Sequence, residues 1–157
     1  MSALTNSILL NSDLNSQEIE QRLPHAGKMS LLDKVTYADR LTLSASAVSH
    51  LSSDNPLRFN HKLSSINGIE YAAQAMAIHG FLLSELKQTE ASTQTGYIAT
   101  IRNIDIFTPF FPETESVIKI EVEQLMSDTN GFTYQFHISD GKKALISGKI
   151  TVFLIHT

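Results

Sequence analysis

Residues 67–86 read NGIEYAAQAMAIHGFLLSEL. Within this stretch Ile69, Ala73, Met76, Gly80 and Leu83 recur at the three- and four-residue spacing that stacks side chains on one face of an α-helix. The spacing predicts one long helix over 67–86. Ala72, Ala73, Ala75, Ala77 and Gly80 make it rich in small side chains, which let neighbouring backbone come close. A helix that is apolar nearly all round belongs inside a molecule rather than on its surface.

The sequence on either side of this helix alternates with period two instead. Residues 31–37 and 41–48 read as strands around an Ala38-Asp39-Arg40 turn, with Leu41, Leu43, Ala45 and Ala47 on one face and Thr42, Ser44 and Ser46 on the other. Downstream, 97–106 gives one or two strands, and Pro109 and Pro112 interrupt the segment after it. In 117–125, Ile118, Ile120 and Val122 alternate with Lys119, Glu121 and Glu123. Asn130-Gly131 then reads as a hairpin turn, because both residues tolerate positive φ. Phe132, Tyr134, Phe136 and Ile138 form the next inward row, and Asp140-Gly141 turns the chain into 144–155. The expectation is an α+β domain of about five to seven antiparallel strands around one buried helix. One sheet cannot cover every face of such a helix, so a second chain is expected and the protein should be a dimer.

The N-terminal residues 1–16 have no clear period and read as a loose start to a single domain over 17–157. Ser16 is placed to cap a short helix over 17–22, which Pro24 stops. Residues 49–63, SHLSSDNPLRFNHKL, form a polar loop too long for a plain connection, and such loops tend to be functional.

A chain of 157 residues fits one domain able to bury ~68–70% of its unfolded surface without disulfide or metal staples. It has no cysteine, which excludes thiolate zinc sites and cysteine nucleophiles and fits a reducing compartment. The net charge of −4 argues against nucleic acid or an anionic membrane as partner. The first residues lack the pattern of a signal peptide, and no run is long enough for a membrane span, so a cytoplasmic location is expected.

No G-x-S-x-G, Walker or dinucleotide motif occurs, and the six histidines show no metal-ligand spacing, so neither metal nor cofactor is expected. His61 and Glu70 are the residues that suggest chemistry: one ends the polar loop, the other lies in the first turns of the helix. A carboxyl group on so apolar a helix is desolvated, which favours its neutral form, and an acid beside an imidazole suits acid/base work. Gly68 would offer its N–H, aided by the helix dipole, to a carbonyl oxygen that gains charge. The plainer alternative makes Asn67 an N-cap and Glu70 its reciprocal partner. Gln74, one turn on, either orients the carboxyl group or bonds to backbone; His79 is read as core-edge or solvent-facing. Tyr97, Phe107, Phe110 and Phe111 either line an apolar tunnel or are core.

Residues 19–35, IEQRLPHAGKMSLLDKV, and 69–80, IEYAAQAMAIHG, resemble the N-terminal signature and central helix of hot-dog 3-hydroxyacyl-acyl-carrier-protein dehydratases. NPLR followed by GIEYAAQAMAIHG is similar, more narrowly, to the dehydratase-like branch of aryl polyene pigment pathways. The resemblance covers most of 19–80. It implies a hot-dog fold and a dimer, homomeric or with a second hot-dog subunit, in which a histidine of one chain meets an acid of the other. The implied substrate is a 3-hydroxyacyl chain on the phosphopantetheine arm of an acyl carrier protein, and the implied product a trans-2-enoyl thioester. Glu70 matches the helix carboxylate and His61 the histidine five residues after the loop proline, here Pro56. Gly68 matches the glycine whose N–H polarises the thioester, and His25 a histidine that is not catalytic. Asn55 and Gln74 join Gly68 as substrate-binding positions. The stretch HKLSSINGIE is shorter than the family's loop, which makes His50, at the end of the preceding strand, the alternative base. Arg58, Lys62 and Arg102 are the cations expected at the tunnel mouth. Two alternatives share the fold: an acyl thioesterase, and a non-catalytic partner subunit of a heteromeric dehydratase.

Overall fold

The computed structural model describes residues 8–23, 27–87 and 95–155. A short helix α1 (Ser16–Glu20) precedes strands β1 (Lys34–Ala38) and β2 (Thr42–Ala47). The long helix α2 (Gly68–Leu86) follows, then β3 (Thr95–Ile106), β4 (Ile118–Asp128), β5 (Gly131–Ser139) and β6 (Ala144–Ile155). All strands join one antiparallel sheet in the order β1-β2-β4-β5-β6-β3, and α2 packs across β2, β4 and β5. This is the single helix wrapped by a sheet that the sequence implies.

Alternation places the core. Leu43, Ala45 and Ala47 of β2 and Ile118, Ile120 and Val122 of β4 are buried, while Lys119, Glu121 and Glu123 face out. Leu41 departs from its expected row: it lies in the turn, 42% exposed. On α2 the buried face is Tyr71, Ala72, Ala75, Ile78, His79 and Leu82. Full burial of a side chain such as Ile78 stabilises the fold by about 1.5–3 kcal/mol. The stripe read from the sequence lies mostly elsewhere: Met76 is buried, but Ile69, Ala73, Gly80 and Leu83 are only partly covered.

Three local details differ from expectation. Residues 8–14 are not loose: the Leu9 N–H donates to the Ala38 carbonyl at 2.8 Å, and Leu14 and Val35 exchange two backbone bonds of 3.0 Å, so the segment covers the outer edge of β1. The cap of α1 is Asn15 rather than Ser16, because Asn15 and Glu18 complete a reciprocal capping box. The β4–β5 turn is Thr129-Asn130, with the Asp128 carboxylate accepting the Asn130 and Gly131 N–H groups at 2.7 and 3.1 Å. Gly131 has no positive φ; it is needed because a Cβ there would collide with the Val152 carbonyl. The other turns behave as read, with Asp39 accepting the Leu41 and Thr42 N–H groups and Gly141 at φ +90°.

The two sheet edges differ. β1 is covered by residues 8–14, whereas β3 leaves Tyr97, Ile98 and Ile101 exposed along a twelve-residue edge. A long apolar edge of this kind invites pairing with another chain. Among the described residues, no helix is long and apolar enough to cross a membrane.

Candidate active site

Two turns of the polar loop that follows β2 carry its histidines. The first is a 3₁₀ turn, Ser49–Leu51, that buries His50 to 2% exposure. The ring lies 6.1 Å from that of Phe111, and its Nε2 is 3.4 Å from the Ser116 hydroxyl. The Nδ1 atom is buried without a hydrogen-bond partner among the described residues. Burial, then the nearby Arg58 charge, lowers the imidazole pKa, against an opposing pull from Asp33, so the ring favours the neutral form that can accept a proton.

The turn is fastened to α2 by a small polar knot. The Tyr71 hydroxyl is 2.8 Å from Ser49 Oγ and accepts from Asn55 Nδ2 at 3.1 Å. Asn55 Nδ2 also donates to the Ser49 carbonyl, and its Oδ1 accepts the Leu57 N–H at 2.9 Å. Ser49 Oγ reaches the Leu31 carbonyl at 2.7 Å. Asn55 therefore braces the loop with its amide already engaged within the chain.

The second turn is a two-residue hairpin. Phe59 and Lys62 exchange backbone bonds of 2.8 and 3.1 Å around Asn60 (φ 51°) and His61 (φ 64°). Positive φ at both central residues is the type I′ signature. It sets the His61 side chain at the exposed tip of the hairpin, with Phe59 beside it 78% exposed. Lys62 lies over the Phe110 ring at 4.8 Å, and Arg102 sits on β3 opposite Lys149, so of the three expected cations Arg58 and Lys62 share the loop while Arg102 belongs to another element.

At the start of α2, Asn67 is helical (φ −67°, ψ −11°) and makes no capping bond; its amide points to the Leu57 carbonyl at 3.5 Å. The capping-box reading of Glu70 therefore fails. Glu70 is instead half-buried and accepts from Gln74 Nε2 at 3.3 Å. Gln74 Oε1 accepts the Leu31 N–H at 2.9 Å, which forces its amide group to donate to Glu70 and to the Met29 carbonyl. Gln74 thus does both things the sequence allowed: it holds backbone and aims a proton at the carboxyl group.

Gly68 is buried beneath β5 and β6, where a Cβ would stand 2.7 Å from Ile146 and 2.9 Å from Ile138. Its N–H is turned back onto the Ser65 and Ile66 carbonyls, so the structure uses this glycine for close packing and for the turn. His25 lies outside the described residues. His79 is fully buried, not core-edge: its Nε2 donates to the Asp39 carbonyl at 2.8 Å and its Nδ1 is 2.6 Å from the Tyr134 hydroxyl. Phe111 is core, while Tyr97, Phe107 and Phe110 are exposed.

Neither loop histidine bonds to Glu70 within one protomer. Among the described residues, no three acidic or histidine side chains are grouped to hold a metal. One protomer thus holds a buried imidazole and an oriented, half-buried carboxyl group at separate places.

The sequence profile of the ApeP-like family, described as ApeP dehydratase, matches residues 17–156. The chain belongs to this dehydratase family. No curated protein is similar enough in sequence to match. A chain of the dehydratase heterocomplex ApeI:P from Xenorhabdus doucetiae is similar in structure, with a TM-score of 0.78 and 21% identity over 88% of this chain and 91% of that one. A thioesterase from Haemophilus influenzae is similar at a TM-score of 0.62 and 13% identity, over 91% and 92%. A mutant thioesterase from Pseudomonas aeruginosa gives 0.57 and 11%, over 78% and 80%. These likenesses show the hot-dog fold.

For an ApeP-like dehydratase, several parts of the site carry no sequence signal. Tyr71 reads as one more core aromatic of the helix, and Ser116 is remote in sequence from the histidine it approaches. The Asn55-Pro56 pair in a long polar loop is the one visible hint of the knot.

Proposed function

We propose that this ApeP-like dehydratase removes water from a 3-hydroxyacyl thioester on the phosphopantetheine arm of an acyl carrier protein, in fatty-acid-like or aryl polyene biosynthesis in the cytoplasm. The active unit is a hot-dog dimer, with itself or with a second hot-dog subunit. The apolar free edge of β3 and the partly covered stripe of Ile69, Ala73, Gly80 and Leu83 support a partner chain. The ApeI:P complex, a dehydratase heterocomplex, supports a second subunit as that partner.

His50 is the base and Glu70 the acid, contributed by different protomers. The observation that carries this assignment is the buried His50 ring with Nδ1 unpartnered, set against the exposed His61 at a hairpin tip. The neutral imidazole takes the Cα proton, and the electron pair moves into the Cα–Cβ bond. The C3–O bond breaks as the Glu70 carboxylic acid protonates the departing hydroxyl, so water leaves and a trans-2-enoyl thioester remains. The imidazolium proton then returns to the carboxylate. Gln74 holds the carboxyl group in one orientation throughout.

The test offers the chain, alone and co-purified with a hot-dog partner, both a 3-hydroxyacyl and a saturated acyl thioester. Enoyl absorbance should appear and free thiol should not. Glu70→Gln should lower turnover by about 10²–10⁴-fold with the fold intact. Thiol release from the saturated substrate would make the protein a thioesterase. Full activity of the partnered enzyme carrying both His50→Asn and Glu70→Gln would make this chain a non-catalytic subunit.

A further inference from the structure

Arg58 makes no salt bridge among the described residues and spends its guanidinium on carbonyl groups. Its Nη1 donates to the carbonyls of His50 at 3.1 Å and Ser52 at 3.2 Å, and its Nη2 donates to that of His61 at 2.9 Å. One side chain thus joins both turns of the loop: the 3₁₀ turn that buries His50 and the hairpin that carries His61.

We infer that Arg58 is a positioning residue for dehydration, a clasp that fixes the backbone of His50 and so the aim of its ring. This rests on His50 being the base. A planar fork reaches carbonyls on two turns from two separate nitrogens; the three donors of an ammonium group all leave one nitrogen and do not reproduce that span. The clasp matters because the ring itself is weakly held. Among the described residues its Nδ1 has no partner and its Nε2 has only Ser116 at 3.4 Å, so the backbone must supply the orientation.

The clasp also places a positive charge beside the imidazole. The groups facing His50 are Phe111 and Ser116 from the segment before β4, Asp33 from the segment before β1, Tyr71 of α2 through Ser49, and Arg58 itself. Arg58 opposes protonation of the ring and Asp33 favours it. Removing the arginine therefore leaves burial alone to oppose the pull of Asp33.

The experiment compares wild type, Arg58→Lys and Arg58→Met as full chains, with the partner subunit present where the pair is the active form. Two readouts are taken: the pH profile of kcat for a 3-hydroxyacyl thioester, and the titration of the His50 ring by NMR. Arg58→Met should lower kcat on the order of a hundredfold, as for a misplaced reacting group, with KM changed far less. Its acidic limb and the His50 titration should both move to higher pH. Arg58→Lys should keep both near their wild-type positions yet fail to restore kcat. If the methionine variant does not fold, that separation of rate from titration in the lysine variant decides the matter. Wild-type kcat and an unmoved His50 titration in Arg58→Met would overturn the clasp. A His50 titration that moves while dehydration is unaffected would instead refute His50 as the base.

Discussion

The two turns of the loop between β2 and α2 are made of similar residues and treat their histidines in opposite ways. The first grows directly from the buried end of β2, where Ala47 is fully covered. It is tied to Tyr71 by Ser49 and Asn55, so the chain has no freedom to turn His50 outward. The second is a hairpin whose central residues take positive φ, and its tip holds His61 away from the core. Backbone conformation, rather than loop polarity or distance from a proline, separates a buried imidazole from one that meets water.

The largest expected effect strikes the inner turn. His50→Asn should lower kcat by about 10²–10⁴-fold, the range for loss of a positioned base, while the thermal midpoint stays near wild type. A partnered enzyme that keeps wild-type turnover with asparagine at 50 would collapse the contrast between the two turns.

Next comes the knot beneath that turn. Asn55→Ala removes donors to Tyr71 and Ser49 and an acceptor for the Leu57 N–H, in a residue only 7% exposed. Stranding such buried groups costs about 1–3 kcal/mol, which denaturant unfolding would read. Turnover should fall as well, because the turn that aims His50 loosens. A change in stability with no change in kcat would show that the knot supports the fold but not the base.

Much of the architecture was legible because it arises from periodicity. The alternation in β2, β4 and β5 and the small-residue helix are local patterns; the strands bury the faces their alternation marks, while the helix forms as read but buries mostly another face. The site was less legible because its geometry comes from contacts distant in sequence. Ser116 reaches His50, and Leu31 fixes the amide of Gln74, across separations that no spacing rule covers. Glu70 was recognisable as chemistry only beside its rival role as a cap partner, and the helical backbone of Asn67 removes that rival. His79 shows the same limit. Its helical position does not reveal the Asp39 carbonyl and Tyr134 hydroxyl that make it a fully buried residue.

Acid should expose the cost of burying these rings. His50 and His79 both have pKa values lowered chiefly by burial, so the unfolded chain binds protons more readily than the folded one. Their contribution to stability is complete above the unfolded imidazole value of about 6.5 and is lost as pH falls through the lower folded values. Urea midpoints measured downward from pH 7 should fall, and His79→Gln should flatten that fall while retaining dehydration. An unchanged slope in the variant would place the acid sensitivity outside the helix.

The smallest effect belongs to the outer turn and separates the two histidines most cleanly. A residue with a Cβ in the left-handed region carries roughly 1–2 kcal/mol of strain, and His61 sits there at φ 64°. Glycine relieves that strain but loses about 0.5–1 kcal/mol through the greater freedom of the unfolded chain. Asn60 followed by glycine is also the pair a type I′ turn prefers. His61→Gly should therefore raise stability slightly, by about 0–1.5 kcal/mol on this balance, visible as a small rise in thermal midpoint. The Arg58 bond to residue 61 goes to its backbone carbonyl, so the substitution leaves the clasp in place. Dehydration should continue at the wild-type rate. A stable His61→Gly protein that has lost turnover by orders of magnitude would return the base to the outer turn, and would require the hairpin to fold inward when the second subunit binds.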